Sequence, residues 1–173
     1  SKRKNKNMET TNFNYSQDKL KKMAFYFLII GVVGVGFVYY SWFIKTEGLV
    51  FGRYSSIFIA LLGFGAFIYM KLFGKKSDEI ALSIGANGIT GNTTPVAKAA
   101  GLIEWNDIVN IYNEGKYVDL EIRDPQKYAD RMKNFFVRDT FMKTMKGFIR
   151  ISIAEIDVTN QEIDQTIRKY QRP

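Results

Sequence analysis

The chain has 173 residues and a formal net charge of +8, and it contains neither cysteine nor histidine. Disulfides, thiolate zinc sites, cysteine nucleophiles, serine–histidine triads and histidine metal sites are therefore excluded. We expect a protein that is not an enzyme and that holds no cofactor and no metal, since catalysis would have to rely on carboxylates, lysine, tyrosine or serine alone.

The chain begins with a basic arm, residues 1–22, which carries seven bases and two acids, a net charge of +5. The bases are Lys2, Arg3, Lys4, Lys6, Lys19, Lys21 and Lys22. Basic segments beside a membrane are attracted to anionic headgroups by about 1 kcal/mol per residue. We expect this arm to lie at the cytoplasmic surface of a membrane.

Two apolar stretches follow, residues 23–44 and 54–73, and the first contains no charged residue. A helix rises about 1.5 Å per residue, so each stretch is long enough to cross the roughly 30 Å hydrocarbon layer. Tyr39, Tyr40 and Trp42 lie near the end of the first stretch, where an aromatic belt is expected. A cleaved signal peptide fits poorly, because the first stretch is too long and a second one follows soon after it.

Lysine and arginine residues around the two spans predict their orientation. The arm holds seven of them, the short loop at residues 45–53 holds two, and residues 71–76 hold three. We therefore place both chain termini in the cytoplasm and the loop outside it, in a multi-pass protein of the inner membrane.

Small residues recur along one face of each span and predict close helix packing, which in lipid depends on van der Waals contact rather than on hydrophobic burial. They are Gly31, Gly34 and Ser41 in the first span and Ser56, Ala60 and Gly63 in the second. Two interpretations stay open. The spans pack against each other as a hairpin, or one of these faces docks a helix of a partner protein.

Residues 77–173 read as a folded cytoplasmic domain that starts with short antiparallel strands. Apolar and polar residues alternate around Ile80 and again over residues 117–124, which is typical of strands with one buried face. Asn87-Gly88 predicts a tight turn between two strands. Residues 91–101 are small and polar, so we expect a loop or an irregular edge there.

The end of the chain predicts helices around one last strand. A helical insertion is expected over residues 126–146, and period-two alternation returns at residues 148–156. Thr159 and Glu162 have the spacing of a capping box, which predicts a C-terminal helix over residues 159–170 that covers a sheet.

From Lys22 onward the chain resembles the bacterial membrane-anchored pleckstrin-homology-like (PH-like) family. Beside the paired spans, the resemblance rests on Asn87-Gly88-Ile89, IEWNDI at residues 103–108, Asp124-Pro125 and the strand–helix ending at residues 151–170. It implies an α+β membrane protein: a two-helix transmembrane hairpin, then a PH-like bent antiparallel β-sheet or barrel with a helical insertion and a C-terminal capping helix. It also implies a bacterial inner membrane and no active site.

Charge in the predicted domain is segregated, with a net −5 over residues 77–124 and a net +5 over residues 125–150. The basic segment interleaves cations with aromatic and methionine side chains, a pattern typical of an interfacial surface. We expect Tyr128, Met132 and Phe135 to seal one end of the sheet. The candidate lipid or partner surface consists of Lys127, Arg131, Lys133, Arg138, Phe141, Met142 and Met145. The acidic sheet is expected to face away from the membrane or toward a basic partner.

Two further features favour structural roles. Alternate positions of one predicted strand carry Asp119 and Glu121, and Asp124 comes at its end. We interpret these carboxylates as the solvated face of a sheet rather than as a metal or acid–base site. Much of the positive charge lies beside the spans, and the domain lacks a recognisable nucleic-acid-binding motif, so we expect no nucleic-acid partner.

These observations predict a non-enzymatic accessory module of the inner membrane, a subunit of a membrane protein complex or a regulator bound to it through the spans and the PH-like domain. The alternative is a module that binds anionic lipid through the basic insertion and the arm. The expected partners are lipids of the anionic inner leaflet and another membrane protein or a second copy of the chain. No small-molecule substrate is expected.

Overall fold

The computed structural model describes residues 10–44 and 50–171, which form two compact units. The helical unit is Gln17–Lys76. The sheet unit is built from the described residues up to Ser16 and from Ser77 onward. The fold is α+β, with two long apolar helices near the N-terminus and two antiparallel sheets.

The helical unit contains two long helices, α1 (Gln17–Tyr39) and α2 (Val50–Phe73), and α1 continues into a π-helical turn at Tyr40–Ile44. The prediction of two long apolar helices is confirmed, and each is long and apolar enough to cross a membrane. Both helices begin before the predicted spans, because hydropathy marks only the stretch suited to lipid while helical hydrogen bonding continues into the flank. Residues 45–49 of the predicted outer loop lie outside the described residues.

The described part of the sheet unit holds seven strands in two antiparallel sheets, with the strand orders β1-β2-β3-β4 and β5-β6-β7. The strands are β1 (Thr10–Asn14), β2 (Ile80–Gly85), β3 (Gly88–Gly91), β4 (Leu102–Glu104), β5 (Ile108–Glu114), β6 (Tyr117–Ile122) and β7 (Phe148–Ser152). A tight turn joins β2 to β3 as predicted, but its two residues are Ala86 and Asn87, since Gly88 already pairs with Gly85 as the first residue of β3.

Strand β1 lies within the predicted basic arm, ahead of the helical unit in sequence. Its Phe13 lies opposite Leu82 of β2 in an antiparallel pair. The strand reads TTNFN, and one large apolar residue gives no alternation from which a strand is predicted. The sheet unit therefore extends beyond the predicted domain of residues 77–173. Residues 1–9 of the arm lie outside the described residues.

Helix α3 (Pro95–Ala100) occupies the stretch where the sequence predicts a loop or an irregular edge, so that prediction was wrong. The Thr94 hydroxyl caps the helix by accepting a hydrogen bond from the Ala97 backbone N–H at 3.2 Å. Pro95 takes the first helical turn, where its missing N–H costs nothing. This Thr-Pro start is the local signal for the helix.

Helix α6 (Asn160–Tyr170) confirms the prediction of a C-terminal helix with a capping box. The Glu162 backbone N–H donates to the Thr159 hydroxyl at 3.2 Å, and the Thr159 backbone N–H donates to the Glu162 carboxylate at 2.8 Å. The helix contacts β2 of one sheet and β5 of the other, and it buries Ile163 and Ile167. It thus covers apolar side chains of both sheets.

The core of the sheet unit is aliphatic and draws on both sheets. Its fully buried side chains include Leu82, Ile84, Ile89, Ile103, Val118, Leu120, Ile149 and Ile151. A Cβ added at Gly91 of β3 would lie 2.8 Å from Cγ1 of Ile151 in β7. Glycine at this position therefore allows strands of the two sheets to approach each other.

The connection between β6 and β7, residues 123–147, is not the single helical insertion predicted over residues 126–146. It contains α4 (Pro125–Ala129), α5 (Phe135–Asp139) and a π-helical turn (Thr140–Thr144). The Asn134 side chain caps α5 by accepting hydrogen bonds from the backbone N–H groups of Phe136 and Val137. Asparagine favours such caps over helix interiors, so a new helix begins here with a different rotational phase.

Candidate interaction surface

Asp107, the last residue of a 3-10 turn (Trp105–Asp107) directly before β5, receives two hydrogen bonds from α4. Lys127 Nζ lies 2.7 Å and the Tyr128 hydroxyl 2.6 Å from the same carboxylate oxygen. The Tyr128 hydroxyl also accepts a hydrogen bond from the Glu104 backbone N–H at 3.2 Å. These contacts tie α4 to the corner between β4 and β5.

The same contacts set the protonation states of this cluster. Hydrogen bonds from Lys127 and then from Tyr128 hold the pKa of Asp107 below its usual value, and the bond to Asp107 raises the pKa of Lys127. Burial, and then the bond to Asp107, raises the pKa of Tyr128 to about 12. At neutral pH the pair of charges is thus stabilised, and these groups are poorly suited to exchange protons with a substrate.

Arg131 and Lys127 belong to the predicted lipid or partner surface, but the structure gives both of them contacts inside the sheet unit. Arg131 Nη1 donates to the backbone carbonyls of Ala100 at 3.2 Å and Leu102 at 2.9 Å. Its guanidinium carbon lies 4.6 Å from the centre of the Tyr128 ring, a cation–π contact. Lys127 therefore ties α4 to the corner before β5, and Arg131 holds the residues after α4 against α3 and β4.

A second ion pair joins the acidic and basic segments through the outer face of the β5-β6-β7 sheet. Arg150 donates from Nε at 2.8 Å and from Nη2 at 2.7 Å to the two carboxylate oxygens of Asp119. This bidentate bond raises the pKa of Arg150. The acidic sheet was expected to face away from the membrane or toward a basic partner. Arg150 supplies part of that positive charge from within the same chain.

The neighbouring carboxylate on this face is also bonded. Glu121 accepts hydrogen bonds from Asn110 Nδ2 at 2.7 Å and from the Tyr112 hydroxyl at 3.1 Å. Among the described residues, no group of three or more carboxylates is arranged to hold a metal ion. Asp119 and Glu121 thus stabilise the sheet through cross-strand contacts.

The apolar part of the predicted surface needs correction. Phe141, predicted at the interface, is fully buried, whereas Phe135, predicted in the core, is 60% exposed. The new helical phase after Asn134 is the physical reason, since it rotates these side chains relative to one continuous helix. Met142 remains exposed and Met145 is half-buried, while Tyr128 and Met132 are buried as expected.

Phe136, which the sequence interpretation assigned neither to the core nor to the surface, is the most exposed large hydrophobic side chain of this segment at 78%. Its ring lies 5.8 Å from that of Phe135 in an edge-to-face arrangement. We call Phe135, Phe136 and Met142 the α5 patch. Adjacent side chains of a helix point about 100° apart, so two consecutive phenylalanines cannot both face the core. The pair Phe135-Phe136 after the capping asparagine is therefore a sequence signal that at least one ring is exposed.

The segment that carries the α5 patch is rich in cations. Lys133, Arg138 and Lys146 are exposed and form no ion pair with another described residue, whereas Lys143 pairs with Asp139 at 2.7 Å. A shallow pocket of about 230 Å³ lies beside the patch. Its lining residues are Gln126, Ala129, Phe135, Arg138, Asp139 and Met142. Lys133, Arg138 and Met142 are thus the members of the predicted surface whose exposure suits an interaction.

The glycines predicted for helix packing lie where α1 contacts α2. A Cβ added at Gly34 would lie 2.6 Å from the backbone nitrogen of Ala60, and one added at Gly63 would collide with the backbone of Gly31. By contrast, a Cβ added at Gly36 would meet nothing within 4 Å. The small residues therefore permit backbone contact between the two helices.

The serines predicted for the same faces are buried and close together. The hydroxyl oxygens of Ser41 and Ser56 lie 3.5 Å apart. Arg53 donates from Nε to the Ser41 backbone carbonyl at 3.1 Å, and its guanidinium carbon lies 5.4 Å from the centre of the Trp42 ring. The six predicted packing residues are thus used within the hairpin, where the two faces cover each other.

The arrangement defines a class: an α+β chain in which a hairpin of two long apolar helices is inserted into a unit of two antiparallel sheets. No protein-family model, no curated protein and no solved structure matches the chain.

Proposed function

We propose that the chain is a non-enzymatic interaction module anchored in a bacterial inner membrane. Helices α1 and α2 span the bilayer, the sheet unit is a PH-like domain at the cytoplasmic face, and the module binds a membrane protein complex as a subunit or regulator. The observation that carries this proposal is the pairing of β1 with β2, the strands that precede and follow the apolar hairpin in sequence.

The exposure of the hairpin supports insertion into lipid. Only 17% of the most apolar window of the first helix and 11% of that of the second is buried. Phe25 is 58% exposed, Phe58 64% and Leu61 67%. Leaving a large apolar side chain in water costs about 1.5–3 kcal/mol relative to burial. A core helix of a soluble protein would be mostly buried, whereas lipid covers such side chains from outside.

The strand pairing supports the proposed orientation independently of the charges. Strand β1 leads into α1 through Tyr15 and Ser16, and β2 follows α2 after residues 74–79. Because β1 and β2 belong to one sheet, both helix ends that connect to the sheet unit have to lie on the same side of the bilayer. The concentration of lysines in these flanks favours the cytoplasmic side.

The architecture of the sheet unit supports a PH-like assignment. Its antiparallel sheets carry a C-terminal helix, α6, which contacts both of them. This is the arrangement that the resemblance implies, and folds of this kind serve many functions, so the function has to rest on the surface. The polar clusters at Asp107 and Asp119 are bonded internally, which favours binding over catalysis.

Gentle purification of the full chain from native membranes tests the proposed partner. We expect a second membrane protein, or a second copy, to co-purify in mild detergent. At Gly36 and Gly65 an added Cβ meets nothing within 4 Å, so these positions face away from the helix contact. Gly36→Leu and Gly65→Leu should therefore reduce co-purification if a partner packs on these outer faces, and thermal unfolding checks that the chain stays folded. Repeated isolation of the unmodified chain as a lone monomer would count against the module.

Reporter fusions test the orientation. A fluorescent protein that matures only in the cytoplasm should be bright when it is fused after Pro173, and a periplasm-dependent phosphatase fused there should be inactive. The opposite pattern, or a chain that stays in solution without detergent, would contradict the proposed anchoring.

A further inference from the structure

We propose that the α5 patch inserts into the interface of an anionic bilayer, which gives the sheet unit a peripheral membrane contact in addition to the two spans. The inference rests on the proposed function, because it requires a bilayer beside the sheet unit. The occupant is the lipid leaflet itself, recognised by its combination of an apolar interior and negative headgroups.

The apolar part of the contact is the pair Phe135 and Phe136, which are 60% and 78% exposed. Met142, 37% exposed, extends the same segment. Clustered exposed apolar side chains mark interaction surfaces more often than isolated ones do. Phenylalanine is common on the apolar face of segments that lie in the interface, where such a face is buried about 5–10 Å deep, at the boundary between headgroups and acyl chains.

The charged part of the contact is the set of cations in the same segment, of which Arg138 lines one pocket with Phe135 and Met142. Residues 133–146 hold four bases and one acid, a net charge of +3. The acid, Asp139, pairs with Lys143, so Lys133, Arg138 and Lys146 are left without an ion pair among the described residues. An anionic leaflet offers negative charge around an apolar layer, which complements this arrangement.

The patch is prepared for insertion by residues that fix it at both ends. Before α5, Arg131 bonds two backbone carbonyls and Asn134 caps the helix. After α5, the fully buried Phe141 anchors the π-helical turn. The rings are therefore presented on a fixed segment, which lowers the entropy lost on binding.

The covalent connection favours lipid over a protein as the occupant. Two residues, Tyr15 and Ser16, separate β1 from α1. If the helices span a bilayer, the sheet unit cannot leave its surface, and the leaflet is present at a high effective concentration that a diffusing protein would have to match.

A site-specific fluorophore tests the proposal in the full chain. Since the sequence contains no cysteine, Phe136→Cys creates a single attachment site for an environment-sensitive dye. The labelled chain is reconstituted in vesicles of phosphatidylglycerol and phosphatidylcholine in equal amounts, or of phosphatidylcholine alone. We expect a blue-shifted emission that is quenched by lipids with a nitroxide on the acyl chain, more strongly in the anionic vesicles.

Matched variants give the comparison. Glu114→Cys places the same dye at the exposed last residue of β5, where we expect no quenching. Lys133→Gln combined with Arg138→Gln, on the Phe136→Cys background, should bring quenching in anionic vesicles down to the level in phosphatidylcholine. Phe135→Cys provides a second reporter of insertion if dye at position 136 perturbs the patch, and circular dichroism checks that each variant folds.

Three results would overturn the inference. One is quenching at positions 135 and 136 no stronger than at position 114, and another is equal quenching in both kinds of vesicle. The third is a blue shift that lipid nitroxides do not quench and that appears only when solubilised membrane proteins are added. This result would assign the patch to a protein partner. A chain retained in the membrane fraction with an unquenched dye refutes this inference alone, whereas loss from that fraction refutes the proposed function.

Discussion

Phe13 of β1 lies opposite Leu82 of β2, although the whole helical unit separates the two residues in sequence. The hairpin is thus an insertion between two neighbouring strands of one sheet. Tyr15, directly after β1, is 4% exposed, and its hydroxyl donates to the Asn92 backbone carbonyl at 2.8 Å. The short segment before the first long helix is therefore part of the folded sheet unit.

Removing β1 is expected to destabilise the sheet unit strongly. We compare residues 77–171 alone with a chain in which a flexible linker joins residues 10–16 to residues 77–171. The shorter chain leaves β2 unpaired on one side and loses the buried Tyr15 ring, and the loss of a large core aromatic alone costs about 3–5 kcal/mol. Urea denaturation followed by circular dichroism measures the difference. Equal unfolding midpoints would show that β1 adds nothing.

Adding one methyl group to the helix contact is expected to weaken the hairpin. In Gly34→Ala the new Cβ would lie 2.6 Å from the Ala60 backbone nitrogen, and such overpacking costs about 1–3 kcal/mol. Gly36→Ala is the matched control, since its Cβ meets nothing within 4 Å. The control should keep or slightly raise stability, because alanine is the better helix former. Titration with sodium dodecyl sulfate in mixed micelles measures both, and identical transitions would refute the contact.

Asp107→Asn is expected to lower stability by about 1–3 kcal/mol at neutral pH, because it weakens hydrogen bonds between α4 and the turn before β5 that involve a charge. The folded-state pKa of Asp107 lies below its ordinary value of 3.8. The carboxylate therefore stabilises the fold above that ordinary value, and this contribution is lost as the pH falls through the lowered pKa.

The gap in unfolding free energy between wild type and Asp107→Asn should consequently be constant near neutral pH and shrink in acid, below a pH of about 4. Urea midpoints measured across this range give the comparison. Asp124→Asn, at the exposed residue before α4 whose side chain makes no capping bond, is the matched control and should change stability little at any of these pH values. A gap that is independent of pH would contradict the role of the Asp107 charge.

Two phenylalanines of one segment are expected to respond differently to truncation. Phe141→Ala removes a fully buried ring and should cost about 3–5 kcal/mol. Phe136→Ala removes a ring that is 78% exposed and should change stability by less than about 0.5 kcal/mol. Thermal unfolding of both variants in the same detergent measures the contrast. A larger loss for Phe136→Ala than for Phe141→Ala would invert the assignment of core and surface.

Signals that are local in sequence predicted much of the fold. The long apolar helices follow from uninterrupted hydropathy, and α6 follows from the spacing of Thr159 and Glu162 together with its apolar stripe. Helix α3 had a comparable signal in Thr94-Pro95, but its small, polar composition suggested a loop. In each case a few neighbouring residues carry the information.

The interaction surface was harder to predict because it depends on helical phase. One continuous helix over residues 126–146 would place Phe135 in the core and Phe141 outside, and the cap at Asn134 exchanges these roles. The sequence near Lys127 and Arg131 also gives no sign of their partners. In the structure Lys127 bonds the Asp107 carboxylate and Arg131 bonds the Leu102 carbonyl, both far away along the chain.

By itself the sequence determined which stretches are apolar enough for lipid, where the last helix starts, and which catalytic and metal chemistries are impossible without cysteine and histidine. Only the tertiary structure decided that β1 joins the sheet across the helical hairpin, which cations are neutralised, and which phenylalanines face outward. Hydropathy and capping act between near neighbours, whereas strand pairing and burial depend on residues that meet only when the chain folds.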